Sequence, residues 1–218
     1  MKVGVDAVLL GSWAGENACK ILDVGTGCGI ISLILAQRFP EAKIFAIDID
    51  EPSIEEANEN FKNSPWIERM SAGNLKFPED VLNKHLKFDL IVSNPPYFNS
   101  GITKPETSRE RARHQDSLSV FTLIEYSPSF LLPHGRLSVI YPENFRMEVE
   151  RKAREKGLFL VRECQIRGNE RRPIKRVMSE FSMINESKST IHEFLTLYDN
   201  EGPTVQYRDL CKDLYLKF

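Results

Sequence analysis

No two cysteines in this chain stand close enough to clamp a metal or close a small loop. Cys19, Cys28, Cys164 and Cys211 are scattered without a CxxC pair, which argues against a disulfide framework and a structural zinc site and fits a reducing cytoplasm. The four histidines, His85, His114, His134 and His192, are equally dispersed, so no metal is expected. Long apolar runs are missing too. Residues 1–18 hold one lysine and a short apolar stretch that Asp6 interrupts, so neither a signal peptide nor a membrane span is expected. Nor is there a surplus of charge. The 29 Lys and Arg against 31 Asp and Glu leave a net charge of −2, so any contact with nucleic acid must come from local patches. No repeat or low-complexity tract appears. What remains is 218 residues with 41% hydrophobic content, enough for a single domain over 1–218 with a full core.

Two stretches carry chemistry. In the first, Lys20-Ile21-Leu22-Asp23-Val24 reads as a buried strand, Gly25-Thr26-Gly27-Cys28-Gly29 as a turn, and 30–38 as a helix. The spacing is GxGxG, with Ile30 where a dinucleotide fingerprint needs its third glycine. Glycines let a ligand approach the backbone and permit positive φ, and a helix amino end behind them suits a polar or anionic group. A second buried strand, 43–50, follows. Asp48 lies about 20 residues beyond Gly25, the spacing at which an acid reaches a ribose diol. Asp50 is the expected cap of a helix over 52–62, with Pro52 in its first turn. Residues 67–71 read as a third strand, after which Asn74 is either a partner for an adenine ring or an ordinary turn asparagine.

The second stretch is Ser93-Asn94-Pro95-Pro96-Tyr97, delivered by the apolar strand Phe88-Asp89-Leu90-Ile91-Val92 to the edge of the sheet where open α/β folds keep their ligands. The prolines cannot continue a sheet ladder and fix two backbone angles, which holds the Asn94 amide and the Pro95 carbonyl outward. Tyr97 adds a flat face. Two acceptors beside an aromatic platform suit a planar acceptor bearing an NH2 group.

Around these stretches, the opening Val3 to Trp13 suggests a short helix over the sheet. The polar stretch 98–116, with Arg109, Arg111 and Arg113, is long for a compact domain and reads as a lid touching substrate phosphates, or as a solvated loop. A helix is expected over 117–132, capped by Asp116 or Ser117, then a strand at 136–141 and a helix over 144–156 stopped by Gly157. Strands at 158–166 and 177–184, a further strand or edge segment at 190–198, and a helix over 207–216 complete the chain. The connector 167–176, with Arg171, Arg172, Lys175 and Arg176, is strongly basic and is either a phosphate-backbone patch or a solvated hairpin tip.

A glycine turn, a distal acid and Asn-Pro-Pro-Tyr after the fourth strand, in that order, resemble the class I S-adenosylmethionine-dependent methyltransferases that act on amino groups. The resemblance implies an α/β, Rossmann-like fold, a mostly parallel seven-stranded sheet with helices on both faces and an antiparallel last strand. It also implies that Asp23, Gly25, Gly27 and Gly29 form the cofactor loop, that Asp48 holds the ribose, and that Asn94, Pro95, Pro96 and Tyr97 are catalytic, with Asp6, Asn74 and Asn94 also toward the cofactor. More narrowly, the opening Met1 to Trp13, the Arg111-Ala112-Arg113-His114 block, Lys175-Arg176-Val177, and the ending Tyr207-Arg208-Asp209-Leu210 with Asp213-Leu214-Tyr215-Leu216 resemble the bacterial tRNA1(Val) adenine-37 N6-methyltransferases. Val5 departs from the usual threonine there, and Met1 falls where that family has a preceding segment, so a short amino-terminal piece is expected to be missing. The resemblance implies tRNA as partner; a cytoplasmic, monomeric enzyme is expected, with Tyr97 and Phe98 as the aromatic contacts to the base and Arg111, Arg113, Arg171, Arg172, Lys175 and Arg176 as the basic contacts to phosphates. Asn-Pro-Pro-Tyr also serves guanine N2 in ribosomal RNA, adenine in DNA and glutamine in release factors. A non-catalytic RNA-binding module of the same fold is the alternative of another class.

Overall fold

The computed structural model describes residues 4–82, 84–96, 118–185 and 190–215. Its centre is β1 (Lys20–Val24), whose residues after Lys20 are all buried, as a strand covered on both faces requires. Around it lie β2 (Lys43–Asp48), β3 (Met70–Asn74), β4 (Phe88–Ser93), β5 (Leu131–Pro142), β6 (Phe159–Arg167), β7 (Arg176–Ser182) and β8 (Ile191–Thr196). They form one sheet in the order β3-β2-β1-β4-β5-β7-β6-β8. Only β7 runs against its neighbours, between β5 and β6.

The expected seven strands are present, the antiparallel one seventh, and an eighth is added. β8 pairs in parallel with β6 at the sheet edge, in the segment where the residue pattern asked for a further strand.

Helices α1 (Val5–Trp13), α2 (Ile30–Arg38), α3 (Glu51–Lys62) and α7 (Val205–Cys211) cover one face through Leu10, Leu35, Phe61 and Tyr207. Helices α4 (Glu79–Leu82), α5 (Val120–Tyr126) and α6 (Arg146–Glu155) cover the other through Val81, Leu123 and Val149. Asp50 caps α3 as expected, its Oδ2 accepting from the Ser53 N–H at 3.0 Å.

Three expectations change. Residues Ile67–Arg69 form a 3-10 turn, and the third strand starts at Met70. The helix expected over 117–132 is shorter: Ser119 is its cap, accepting from the Thr122 N–H at 3.1 Å, and it ends at Tyr126. Pro128 explains the stop, because a proline ring clashes with the preceding turn of a helix. Finally, Pro133-His134-Gly135 lies inside β5 as a bulge. Opposite Phe88 and Leu90 the register jumps from Leu131 to Arg136, and a Cβ on Gly135 would stand 2.7 Å from the Phe88 carbonyl oxygen.

Candidate active site

The strand order reverses between β1 and β4, the point at which doubly wound sheets open a crevice. The β1–β4 ladder ends at Asp23 and Val92. Beyond it the two strands release the glycine turn and the proline turn side by side.

The glycine turn is heavily braced. Gly25, Gly27 and Gly29 adopt φ of 71°, 55° and 83°, a region that favours glycine. The N–H groups of Gly25 and Thr26 donate to the Ile47 carbonyl at 2.8 and 3.0 Å, and the Gly27 N–H donates to Asp48 Oδ2 at 2.9 Å. Asp48 Oδ1 accepts from the Asp50 N–H at 3.0 Å. Asp48 therefore ties the end of β2 to the turn while remaining half-buried.

Asp23 behaves differently. It exposes no surface, and its Oδ2 accepts from the Thr26 and Ser32 hydroxyls, both at 2.7 Å. Burial pushes its carboxyl up to about 6, against the pull of those hydroxyls and the Ser32 amide, with the Asp48 charge adding a smaller upward push. Its Oδ1 is buried without a hydrogen-bond partner. Asp23 thus braces the turn and the start of α2 from inside. Gly29 is also turned inward: a Cβ there would meet Phe61 Cε1 at 2.5 Å, so the missing side chain makes room for α3.

A cavity of about 230 Å³ opens at this point, and Gly25, Asp48 and Pro96 all line it. Ile49, Leu75, Phe77 and Leu118 supply an apolar wall, suited to a flat ring beside a carboxylate that can accept from hydroxyls. The glycine turn and the proline turn thus share one pocket. Asn94 is half-buried, Pro95 buried and Pro96 exposed. Tyr97, Phe98, Arg109, Arg111 and Arg113 lie outside the described residues, as does the stretch read as a lid.

The other expected residues are placed as follows. Asn74 donates its Nδ2 to the Asp48 carbonyl at 3.2 Å, and the cavity wall next to it is made by Leu75, Lys76 and Phe77. Asp6 and Arg176 meet each other, Nε to Oδ2 at 2.9 Å, tying the first turn of α1 to the start of β7. Arg171, Arg172 and Lys175 are exposed on the β6–β7 turn. That turn projects from the same sheet edge as the cavity, because β6, parallel to the central strands, ends where it begins. Among the described residues no group of three His, Cys, Asp or Glu is placed to hold a metal. No helix among them is long and apolar enough to cross a membrane.

Sequence reasoning missed the apolar lining of the cavity, Ile49, Leu75, Phe77 and Leu118. Ile49 carried a signal, an isoleucine between two aspartates at the end of an apolar run. The others carried none, since apolar residues next to strand ends are ordinary.

Residues 6–153 match the methyltransferase small domain family. The chain belongs to that family. The match runs from α1 through most of α6 and includes every described residue of the cavity, while the basic β6–β7 turn lies beyond it. This methyltransferase is 38% identical over 218 residues to a tRNA1(Val) (adenine(37)-N6)-methyltransferase of Parabacteroides distasonis, covering 100% of the chain and 92% of that protein. It is 36% identical over 220 residues to the tRNA1(Val) (adenine(37)-N6)-methyltransferase of Vibrio vulnificus, covering 100% and 90%. Among solved structures, a protein described as a predicted O-methyltransferase from Agrobacterium tumefaciens superposes with a TM-score of 0.72 at 18% identity, covering 95% of this chain and 96% of that one. At that identity the likeness is one of fold.

Proposed function

We propose that this protein transfers a methyl group from S-adenosylmethionine to the exocyclic N6 of an adenine in tRNA, adenine 37 of tRNA1(Val) being the substrate named for its relatives. The observation that carries the reading is the shared cavity, in which Gly25, Asp48 and Pro96 face one space. The residues present fit the cofactor. Each Asp48 oxygen accepts one backbone N–H and keeps a lone pair for a ribose hydroxyl. Ile49, Leu75 and Phe77 offer an apolar wall to an adenine ring, and the missing side chain of Gly25 admits the Leu118 side chain, whose Cδ2 lies 2.8 Å from where a Cβ would stand.

S-adenosylmethionine supplies, when bound, a methyl group on a sulfonium that departs without help from a metal. The work of the chain is orientation and electrostatics. An exocyclic adenine nitrogen is a weak nucleophile because its lone pair is shared with the ring. The Asn94 side-chain oxygen and the Pro95 carbonyl would accept hydrogen bonds from its two N–H groups and draw the nitrogen toward a pyramidal shape, withdrawing the lone pair from ring conjugation; as the N–C bond forms, the surplus N–H proton would pass to solvent. Pro95 and Pro96 stiffen the backbone that presents both acceptors. Tyr97 and Phe98 stack on the base, which is drawn out more cheaply from a loop than from a duplex. Arg171, Arg172 and Lys175, exposed at the same edge, hold phosphates and add affinity rather than base choice.

The test is methyl transfer to total tRNA from a strain lacking this protein, followed by nucleoside mass analysis. N6-methyladenosine in tRNA is the expected product, and a methylated guanosine or no product sinks the reading. With Asn94→Ala, turnover should fall by about 10³-fold or more while cofactor affinity stays within about threefold. Near-normal methylation by that variant would remove Asn94 from the mechanism.

A further inference from the structure

Ser93 is the last residue of β4 and immediately precedes Asn94. It is fully buried, and its Oγ donates to the Val24 carbonyl oxygen at 2.7 Å. Val24 is the last residue of β1 and immediately precedes Gly25. The ladder between the two strands has already ended, at Asp23 and Val92. On its other side the Ser93 backbone is still paired, with Val139 of β5. Ser93 is therefore held to β5 by its backbone and to β1 by its hydroxyl, at the place where the sheet splits to make the cavity. Beyond that bond the proline turn and the glycine turn part company.

We propose that Ser93 is a positioning residue, a clip that sets the separation and angle between the acceptor turn at Asn94 and the cofactor turn at Gly25. The idea rests on the methyltransferase reading given above. Its physical basis is that a buried carbonyl needs a donor. A serine hydroxyl, attached to the residue next to Asn94, converts that need into a constraint on where Asn94 leaves the sheet. Transfer between two bound groups is steep in geometry, so a misplacement of about 1 Å costs about 10²-fold in rate. Cofactor binding, carried by Gly25, Asp48 and the apolar wall, does not depend on the clip to the same degree.

The experiment compares Ser93→Ala with Ser179→Ala. Ser179 is equally buried and hydrogen-bonds through its hydroxyl to the Tyr141 OH at 2.7 Å; it lies on β7, with Val139 of β5 between it and Ser93, and its hydroxyl bonds to neither turn. At saturating tRNA and S-adenosylmethionine, Ser93→Ala should lose about 10- to 100-fold in kcat with cofactor Kd within about threefold of wild type. Ser179→Ala should lose similar thermal stability and keep its kcat. An unchanged kcat in Ser93→Ala, or a loss matched by Ser179→Ala, overturns the proposal. Should Ser93→Ala fail to fold, Ser93→Cys, with a weaker donor of similar size, is expected at intermediate kcat, and wild-type kcat in it is equally fatal. If wild type methylates no tRNA at all, the functional reading fails on its own. The clip is then read from hydrogen exchange: amides of 88–94 and 24–27 should exchange faster in Ser93→Ala than in wild type, and unchanged exchange refutes it.

Discussion

The glycine turn at 25–29 and the basic turn at 167–176 leave the same edge of the sheet and are held in opposite ways. The first has buried side chains added to its backbone bonds with Ile47: Asp23 from below, Asp48 from the side and Phe61 against Gly29. The second is closed by backbone and one asparagine. The Arg171 N–H donates to Asn169 Oδ1 at 3.0 Å, the Arg172 N–H to the Asn169 carbonyl at 3.0 Å, and the Lys175 N–H to the Ile166 carbonyl at 2.9 Å, while the side chains of Arg171, Arg172 and Lys175 are exposed to water. A turn built into the core holds reacting groups in place, and changes in it reach fold and chemistry together. A turn whose charges stand in solvent adds attraction, and changes in it reach affinity alone. Each of the following tests pulls on one side of that contrast.

The largest effect is expected at Gly29. Its φ of 83° is unfavourable for any residue with a Cβ, and the added carbon would press on Phe61, which is fully buried. Strain of about 1–2 kcal/mol from the backbone and about 1–3 kcal/mol from overpacking predicts that Gly29→Ala loses about 2–5 kcal/mol of unfolding free energy. Urea denaturation measures it. A loss under about 1 kcal/mol would mean that α3 yields easily and that the turn is less tightly built than its contacts imply.

Asp23 tests the same turn through pH. Its carboxyl, raised by burial from the ordinary 3.8 to about 6, keeps its proton in the folded protein after the unfolded chain has released it. Below about pH 4 both states are protonated, and this group contributes its full share to stability. As pH rises to about 6 the unfolded state binds fewer protons than the folded state, so stability falls, by up to about 3 kcal/mol, and then levels off. Asp23→Asn removes the titration. The stability of wild type minus that of Asp23→Asn should therefore drop between pH 4 and pH 7 in denaturant titrations, and a flat difference would show Asp23 to be ionised throughout.

What the chain disclosed in advance follows the range of the interactions. β1, α2 and the Asp50 cap are set by neighbours a few residues apart, and the pattern of apolar residues, glycines and a capping acid located them. The start of β5 was misplaced because its bulge is imposed by β4 across the sheet, and Gly135 has a reason only once the Phe88 carbonyl lies against it. Pro128 was a local stop signal that the helix reading passed over. In the site, Gly25, Asp48 and Pro96 could be named because each belongs to a spaced motif. Gly29 answers to Phe61, and Asp6 to Arg176, 170 positions away. Spacing along the chain does not encode such contacts. Asp23 was assigned to the cofactor loop by resemblance, and its burial under Thr26 and Ser32 shows it bracing that loop from inside.

The smallest effect is expected at the exposed turn. Arg171→Ala with Arg172→Ala removes two charges that stand in solvent, each worth on the order of 1 kcal/mol or less toward a phosphate. The pair should raise the KM for tRNA about 3- to 10-fold, leave kcat and cofactor affinity unchanged, and flatten the salt dependence of RNA binding by about 1.4 units of log K per log salt if both arginines meet single-stranded phosphates. Cofactor affinity is the discriminating reading, because the two turns share an edge without sharing a bond among the described residues. If cofactor affinity also falls, the two turns are coupled across β5 and β7, and the division between a rigid reacting turn and a solvated attracting one does not hold. If KM and the salt slope both stay at wild-type values, the arginines are solvated surface and the phosphates are held elsewhere.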